Sequence, residues 1–192
     1  MVVKVTRPLT MNEAVCGPAQ DMEVDISISH DAWLKDLPDS AEVCREAAEA
    51  AFGAGAGESL DATTEVSIVL TDNPAIQELN RDYRGKNQPT NVLSFASLDG
   101  VAAEHSMAPD APLLLGDIVV AYETAISEAA AECISLRDHL SHLIVHGMLH
   151  LLRYDHERDA EAKRMESLET QVLAGLGVAD PHTIIAKENI RK

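Results

Sequence analysis

Three histidines restrict the fold of this chain more than any other feature. His146 and His150 stand four residues apart in an otherwise apolar run, and His156 follows six residues later. A helix places residues i and i+4 on one face about one turn apart, so the first two imidazoles converge on one point. His156 lies too far along the same helix to join them, and the chain must turn after about Leu152 to bring it back. Three ring nitrogens would then meet one ion at ~2.0–2.1 Å and leave a tetrahedral centre one open position, which distinguishes a catalytic from a closed structural site. Imidazole donors favour zinc, with nickel or cobalt as substitutes.

The remainder of the chain divides into segments of two periods. Val24, Ile26 and Ile28 alternate with polar residues, as do Val66, Ile68 and Leu70, which predicts two half-buried strands. Asn91 to Ala96 and Leu113 to Tyr122 predict two more. Helices are expected from Asp39 or Ser40 to about Phe52 and from Asn73-Pro74 to a stop at Gly85. Three more are expected over about 123–133, 136–152 and 158–175. The small-residue run Gly53 to Gly57 reads as a linker, because it lacks the Lys and Ser/Thr of a phosphate loop. Residues 97–112 read as a loop. The pattern predicts an α+β domain, a small mixed four-stranded sheet packed with about five helices, one of them a metalloprotease-like zinc helix. Residues 1–22 are expected to form a flexible N-terminal extension, 23–182 the single domain, and 183–192 a C-terminal tail.

Composition narrows the function classes. Lys+Arg number 15 against 32 Asp+Glu, a net charge of −17, which excludes a protein that coats nucleic acid through a broad basic surface. The cations are unevenly spread: none lies between Arg45 and Arg81 or between Lys86 and Arg137, whereas Arg81, Arg84 and Lys86 fall together. A local basic spot on an acidic body is therefore expected. No apolar run approaches the ~18 residues of a membrane helix, and no secretory signal is evident. Cys16, Cys44 and Cys133 form no CxxC pair. These features point to a cytoplasmic protein without a membrane partner.

The histidine spacing also fits the zinc-peptidase pattern H-E-x-x-H-x-x-G-x-x-H, with two differences. The Glu that acts there as general base is Gly147, and the turn glycine is Arg153. A zinc peptidase-like hydrolase is thereby disfavoured.

His146 to His156 instead resembles H-G-x-L-H-L-x-G-Y-D-H, the signature of the YbeY family of bacterial metal-dependent endoribonucleases, with Arg153 in the usual Gly position. The resemblance extends to Arg84-Gly85-Lys86 followed by Pro89-Thr90-Asn91-Val92-Leu93-Ser94-Phe95, to Leu115-Gly116-Asp117-Ile118, and to His142-Leu143-Ile144-Val145 before the motif. It implies a single-strand-specific endoribonuclease acting in 16S rRNA 3′-end maturation and ribosome quality control, with precursor 16S rRNA and the small ribosomal subunit as partners. It further implies that His146, His150 and His156 hold zinc, and that Arg84 is functionally important. A non-catalytic ribosome-assembly factor with a zinc-held fold is the alternative.

Other residues divide between roles. Arg84 either complements the end of its helix or clamps a scissile phosphate beside the ion. Arg81 and Lys86 are candidate phosphate contacts. His142, four residues before His146, either lines the cleft as a catalytic group or is hydrogen-bonded behind it; His139 falls on the rim. Asp155 either orients His156 or caps the next helix. Asp117, at a strand, has at most a turn to bond. No general base is evident, and a ribose 2′-OH is the alternative nucleophile to water.

Overall fold

The computed structural model describes residues 22–56, 63–97, 113–154 and 158–179. Residues 1–21 of the expected extension, 98–112 of the expected loop, Asp155, His156 and the tail over 183–192 lie outside the described residues, whereas Met22, expected in the extension, begins the first strand. The elements are β1 (Met22–Ile28), α1 (Ala32–Asp36), α2 (Ser40–Gly55), β2 (Thr64–Thr71), α3 (Asn73–Arg84), β3 (Val92–Ala96), β4 (Leu113–Ala121), α4 (Tyr122–Glu132), α5 (Leu136–Leu151) and α6 (Asp159–Gly175). The sheet order is β1-β2-β4-β3, with β1, β2 and β4 parallel and β3 antiparallel to β4. This is the expected α+β architecture with a mixed four-stranded sheet.

The strand period of two assigns the faces. Val66, Ile68 and Leu70 of β2 and Ile118 and Val120 of β4 turn toward α2, α5 and α6, forming the main core with Leu140, Ile144 and Met148. The alternate residues Leu93 and Val119 turn the other way and form a smaller core with Ile76 of α3. The sheet therefore separates α3 from α5, and β3 is its edge strand between them.

Three details depart from the sequence pattern. The five-residue α1 was not expected; Trp33 is fully buried there, and its indole Nε1–H donates to the Thr71 carbonyl at 3.0 Å. One buried aromatic with a satisfied donor fixes a helix too short for periodicity to reveal. Gly53 and Gly55 are not linker but the last turn of α2. A Cβ at Gly55 would come within 2.9 Å of Leu152 Cδ1, so the missing side chain lets α2 approach the end of α5. The cap of α3 is Asp72, one residue earlier than expected; its carboxylate accepts from the Ala75 N–H at 3.0 Å.

Two positive-φ positions shape the ends of the site. Gly116 has φ +144° beside a register shift in β4, and a Cβ there would lie 2.1 Å from the Phe95 carbonyl oxygen. Past the end of α5, Arg153 has φ +70°. Its N–H donates to the His150 carbonyl at 3.0 Å, and the Tyr154 N–H donates to the Leu149 carbonyl at 2.9 Å. That pair of bonds is a Schellman motif, whose left-handed position favours glycine. The chain thus turns at Leu152 and Arg153, where the third histidine requires it.

Opposite outcomes are expected at these positions. Arg153→Gly relieves ~1–2 kcal/mol of left-handed strain, partly offset by ~0.5–1 kcal/mol from the freer unfolded chain, and should raise the urea midpoint slightly. Gly116→Ala forces a backbone collision and should lower it by an amount equivalent to about 2 kcal/mol or more. A lower midpoint for Arg153→Gly, or an unchanged one for Gly116→Ala, would contradict this account of the turns.

Candidate metal centre

Helix α5 is buried almost all round. From His139 to Leu151 every residue is inaccessible except His142, His146 and His150, each partly exposed. An all-round apolar helix belongs in a core, and here the core leaves a single opening along its length, lined by imidazoles. The rings form a ladder with centroid spacings of 6.1 Å (His139–His142), 6.3 Å (His142–His146) and 4.6 Å (His146–His150).

Gly147 explains why the peptidase base has no counterpart. A Cβ on it would meet Ser94 Oγ at 3.0 Å and Ile118 Cγ2 at 3.1 Å. The position faces the sheet, away from the opening, and the close approach of α5 to β3 and β4 leaves no room for a Glu side chain.

The hydrogen bonds fix the state of two imidazoles. His146 Nδ1–H donates to Glu169 Oε1 at 3.1 Å, and His150 Nδ1–H donates to the Tyr154 carbonyl at 3.2 Å. Both acceptors lack protons, so each ring, when neutral, carries its lone pair on Nε2. Those two Nε2 atoms lie 3.0 Å apart. Two lone pairs at that distance repel unless a cation lies between them, and ligands of a tetrahedral ion with ~2.0–2.1 Å bonds would sit roughly 3.3 Å apart. The described residues therefore fit a metal at this point with little adjustment. His156, the third expected ligand, lies outside the described residues.

Sequence reasoning missed Glu169. It stands on α6 in the apolar series Met165, Glu169, Val172, Leu173, and it is only 2% exposed. A carboxylate on the buried stripe of an amphipathic helix was the available signal, since a buried charge needs specific partners. Its Oε1 also lies 3.4 Å from His142 Nε2. Burial pushes the Glu169 carboxyl upward, but hydrogen bonds and charge from His142 and His146 outweigh it and hold the group well below the usual carboxylate range. A carboxylate behind a ligand histidine fixes its tautomer and raises its basicity. His142, His146 and Glu169 also form a group whose ligand atoms lie within 4.8 Å of one another and could themselves hold a metal ion. The two arrangements use opposite nitrogens of His146.

His139 is not on the rim. It is 3% exposed, and its Nε2–H donates to Glu128 Oε2 at 2.9 Å. The same oxygen accepts from Asn91 Nδ2 at 3.0 Å, tying α4, α5 and the start of β3 together. Burial of Glu128 is again outweighed by these hydrogen bonds, and its carboxyl is lowered.

Arg81, Arg84 and Lys86 are all exposed, at and just beyond the C-terminal turn of α3, across the sheet from α5. Arg81 Nε donates to Asp82 Oδ1 at 2.7 Å. Asp117 is on β4 and partly exposed. No helix among the described residues is long and apolar enough to cross a membrane.

The family model described as Endoribonuclease YbeY matches residues 28–177. A protein of Paramagnetospirillum magneticum named Endoribonuclease YbeY is 51% identical over 161 residues, 84% of this chain and 96% of the relative. Proteins of the same name from Azorhizobium caulinodans and Rhodospirillum rubrum are 46% and 50% identical, covering 86% and 78% of this chain and 99% and 76% of the relatives. A solution structure from Thermotoga maritima is similar with a TM-score of 0.47 at 24% identity, over 79% of this chain and 86% of that one. With a family model spanning most of the chain, and relatives near half identity across it, this chain belongs to the YbeY family.

Proposed function

We propose that the protein is a metal-dependent endoribonuclease that hydrolyses phosphodiesters of single-stranded RNA, with a zinc ion held by His146, His150 and His156. The 3′ end of precursor 16S rRNA, on the small ribosomal subunit, is its proposed substrate, and residues 23–182 form the proposed catalytic domain. The observation that carries the reading is the pair of Nε2 atoms 3.0 Å apart, each with its Nδ1 already donating. The relatives' shared name supplies the reaction class.

Zinc in this position would supply Lewis acidity, polarising a phosphoryl oxygen or lowering the pKa of a water to about 7. The protein's own contribution is orientation. Glu169 and the Tyr154 carbonyl hold the two rings, and the packing of α5 keeps their helix from shifting. His142 lies on the same stripe one turn before His146, within reach of Glu169. It is proposed as the group that contacts substrate beside the ion. Arg84 is proposed to bind the phosphate backbone through its planar fork, with Arg81 and Lys86 as weaker contacts. A peptidase reaction is disfavoured because no carboxylate fits at position 147.

Metal analysis separates the two ligand arrangements. His150→Ala and His156→Ala should lose most of the bound zinc, as should His146→Ala, while His142→Ala should keep it. The reverse pattern, with metal lost from His142→Ala and retained in His150→Ala, would assign the ion to the His142–His146–Glu169 group. Glu169→Gln keeps the shape but weakens the acceptor behind His146, and competition with a chelator should show zinc affinity reduced about 10–100-fold. Unchanged affinity would remove Glu169 from its supporting role.

Cleavage assays test the reaction. Zinc-loaded protein should cut a short single-stranded RNA, leave the matching duplex intact, and stop when chelated. Arg84→Ala should slow single-turnover cleavage, by about 10²–10³-fold if its guanidinium stabilises developing charge. Arg84→Lys should remain clearly slower than wild type, because charge without the fork is not equivalent. Wild-type rates in Arg84→Ala would exclude the phosphate role.

A further inference from the structure

The cationic end of α3 also carries an aromatic side chain in an unusual setting. Tyr83 is 70% exposed, the most exposed of the large hydrophobic residues among those described. Its ring stands edge-on to Phe95 of β3, with centroids 5.0 Å apart and planes at 62°. Phe95 in turn packs against the smaller core. The ring is thus braced from one side while most of it faces water.

The surroundings are rigid and positively charged. Gly85, at φ +69°, ends α3 immediately after Arg84. The following residues fold back onto the helix: Lys86 N–H donates to the Asn80 carbonyl at 3.2 Å, and Asn80 Nδ2 donates to the Gln88 carbonyl at 2.8 Å. Gln77 Nε2 donates to Asn87 Oδ1 at 3.0 Å. Every residue from Arg81 to Pro89 is nevertheless exposed. In a chain of net charge −17, with no other Lys or Arg between Arg45 and Arg137, this pinned segment carries Arg81, Arg84 and Lys86 within three residues of Tyr83. Asp82 is the one anion in that stretch, and it pairs with Arg81.

We infer that Tyr83 is a stacking platform for one unpaired base of a bound RNA strand, with Arg84 and Lys86 holding the flanking phosphates. Single-stranded nucleic acid is bound by this pairing of aromatic faces with cations along the backbone. A duplex cannot use the platform, because its base faces are already stacked on one another. The site therefore selects single strands by chemistry separate from the histidine centre. It lies on the α3 side of β3, so a strand contacting both would pass around that edge of the sheet. The inference rests on the proposed nuclease function, and its test separates the two.

The probe is a short single-stranded 2′-O-methyl oligoribonucleotide, which resists cleavage, compared with the same strand bearing an abasic position. Binding to zinc-loaded protein is read by fluorescence anisotropy. Wild type should prefer the base-bearing strand by about tenfold or more, within the range of one base–aromatic stack. Tyr83→Ala should remove most of that preference at unchanged melting temperature, and Tyr83→Phe should keep it. Arg84→Ala should weaken both strands alike. A Tyr83→Ala protein that still distinguishes the strands as wild type does, or that weakens both equally, would overturn the platform while leaving the nuclease reading intact. Wild-type protein with no affinity for either strand would overturn both.

Discussion

The enclosure of α5 sets the conditions for everything else in this molecule. A sixteen-residue helix packs in the core with Ile144 and Met148, against α2 near Leu149, and against α6, and beyond its first turn only His142, His146 and His150 reach solvent. Protein interiors pack densely and shift little, so the backbone beneath His142, His146 and His150 is held by the core itself. A metal site needs its ligands placed within fractions of an ångström. Here the hydrophobic core supplies that placement, and it does so by taking small residues where helix and sheet meet. Gly147 lets α5 approach Ser94 and Ile118 of the sheet, and Gly55 lets α2 approach Leu152 at the end of α5.

Electrostatics complete what packing begins. Glu169 and Glu128 are carboxylates inside or at the edge of the core, each accepting from a histidine of α5. Leaving either group without a donor would cost more than the hydrogen bond contributes, so each pair fixes both the position of a helix and the tautomer of a ring. The same logic explains why the acidic surface of the chain does not preclude an RNA substrate. Long-range repulsion is governed by net charge, whereas the proposed contact needs only the few cations placed together at the end of α3.

Much of the fold was legible because its signals are local. Alternation in Val66, Ile68 and Leu70 reports a strand whatever the rest of the chain does, and the histidine spacing reports a helix followed by a turn. The departures share one cause. Trp33, Gly55 and His139 owe their conformations to neighbours distant in sequence: the Thr71 carbonyl, Leu152, and Glu128. Glu169 was missed in the same way. Its partners His142 and His146 lie on another helix, 27 and 23 residues away, and no spacing rule links them.

The sequence by itself determined the order of elements apart from α1, the placing of His146 and His150 on one face of a helix, the absence of a carboxylate at position 147, and the cluster of cations around Arg84. These follow from side-chain type and from the fixed periods of helix and strand. The tertiary structure decided which nitrogen of His146 and of His150 is turned toward the other ring, because Glu169 and the Tyr154 carbonyl occupy the opposite nitrogen of each. It also decided that Arg84 and Tyr83 stand across the sheet from the histidines, because the side of the sheet on which a helix packs is set by which residues its strands turn toward it.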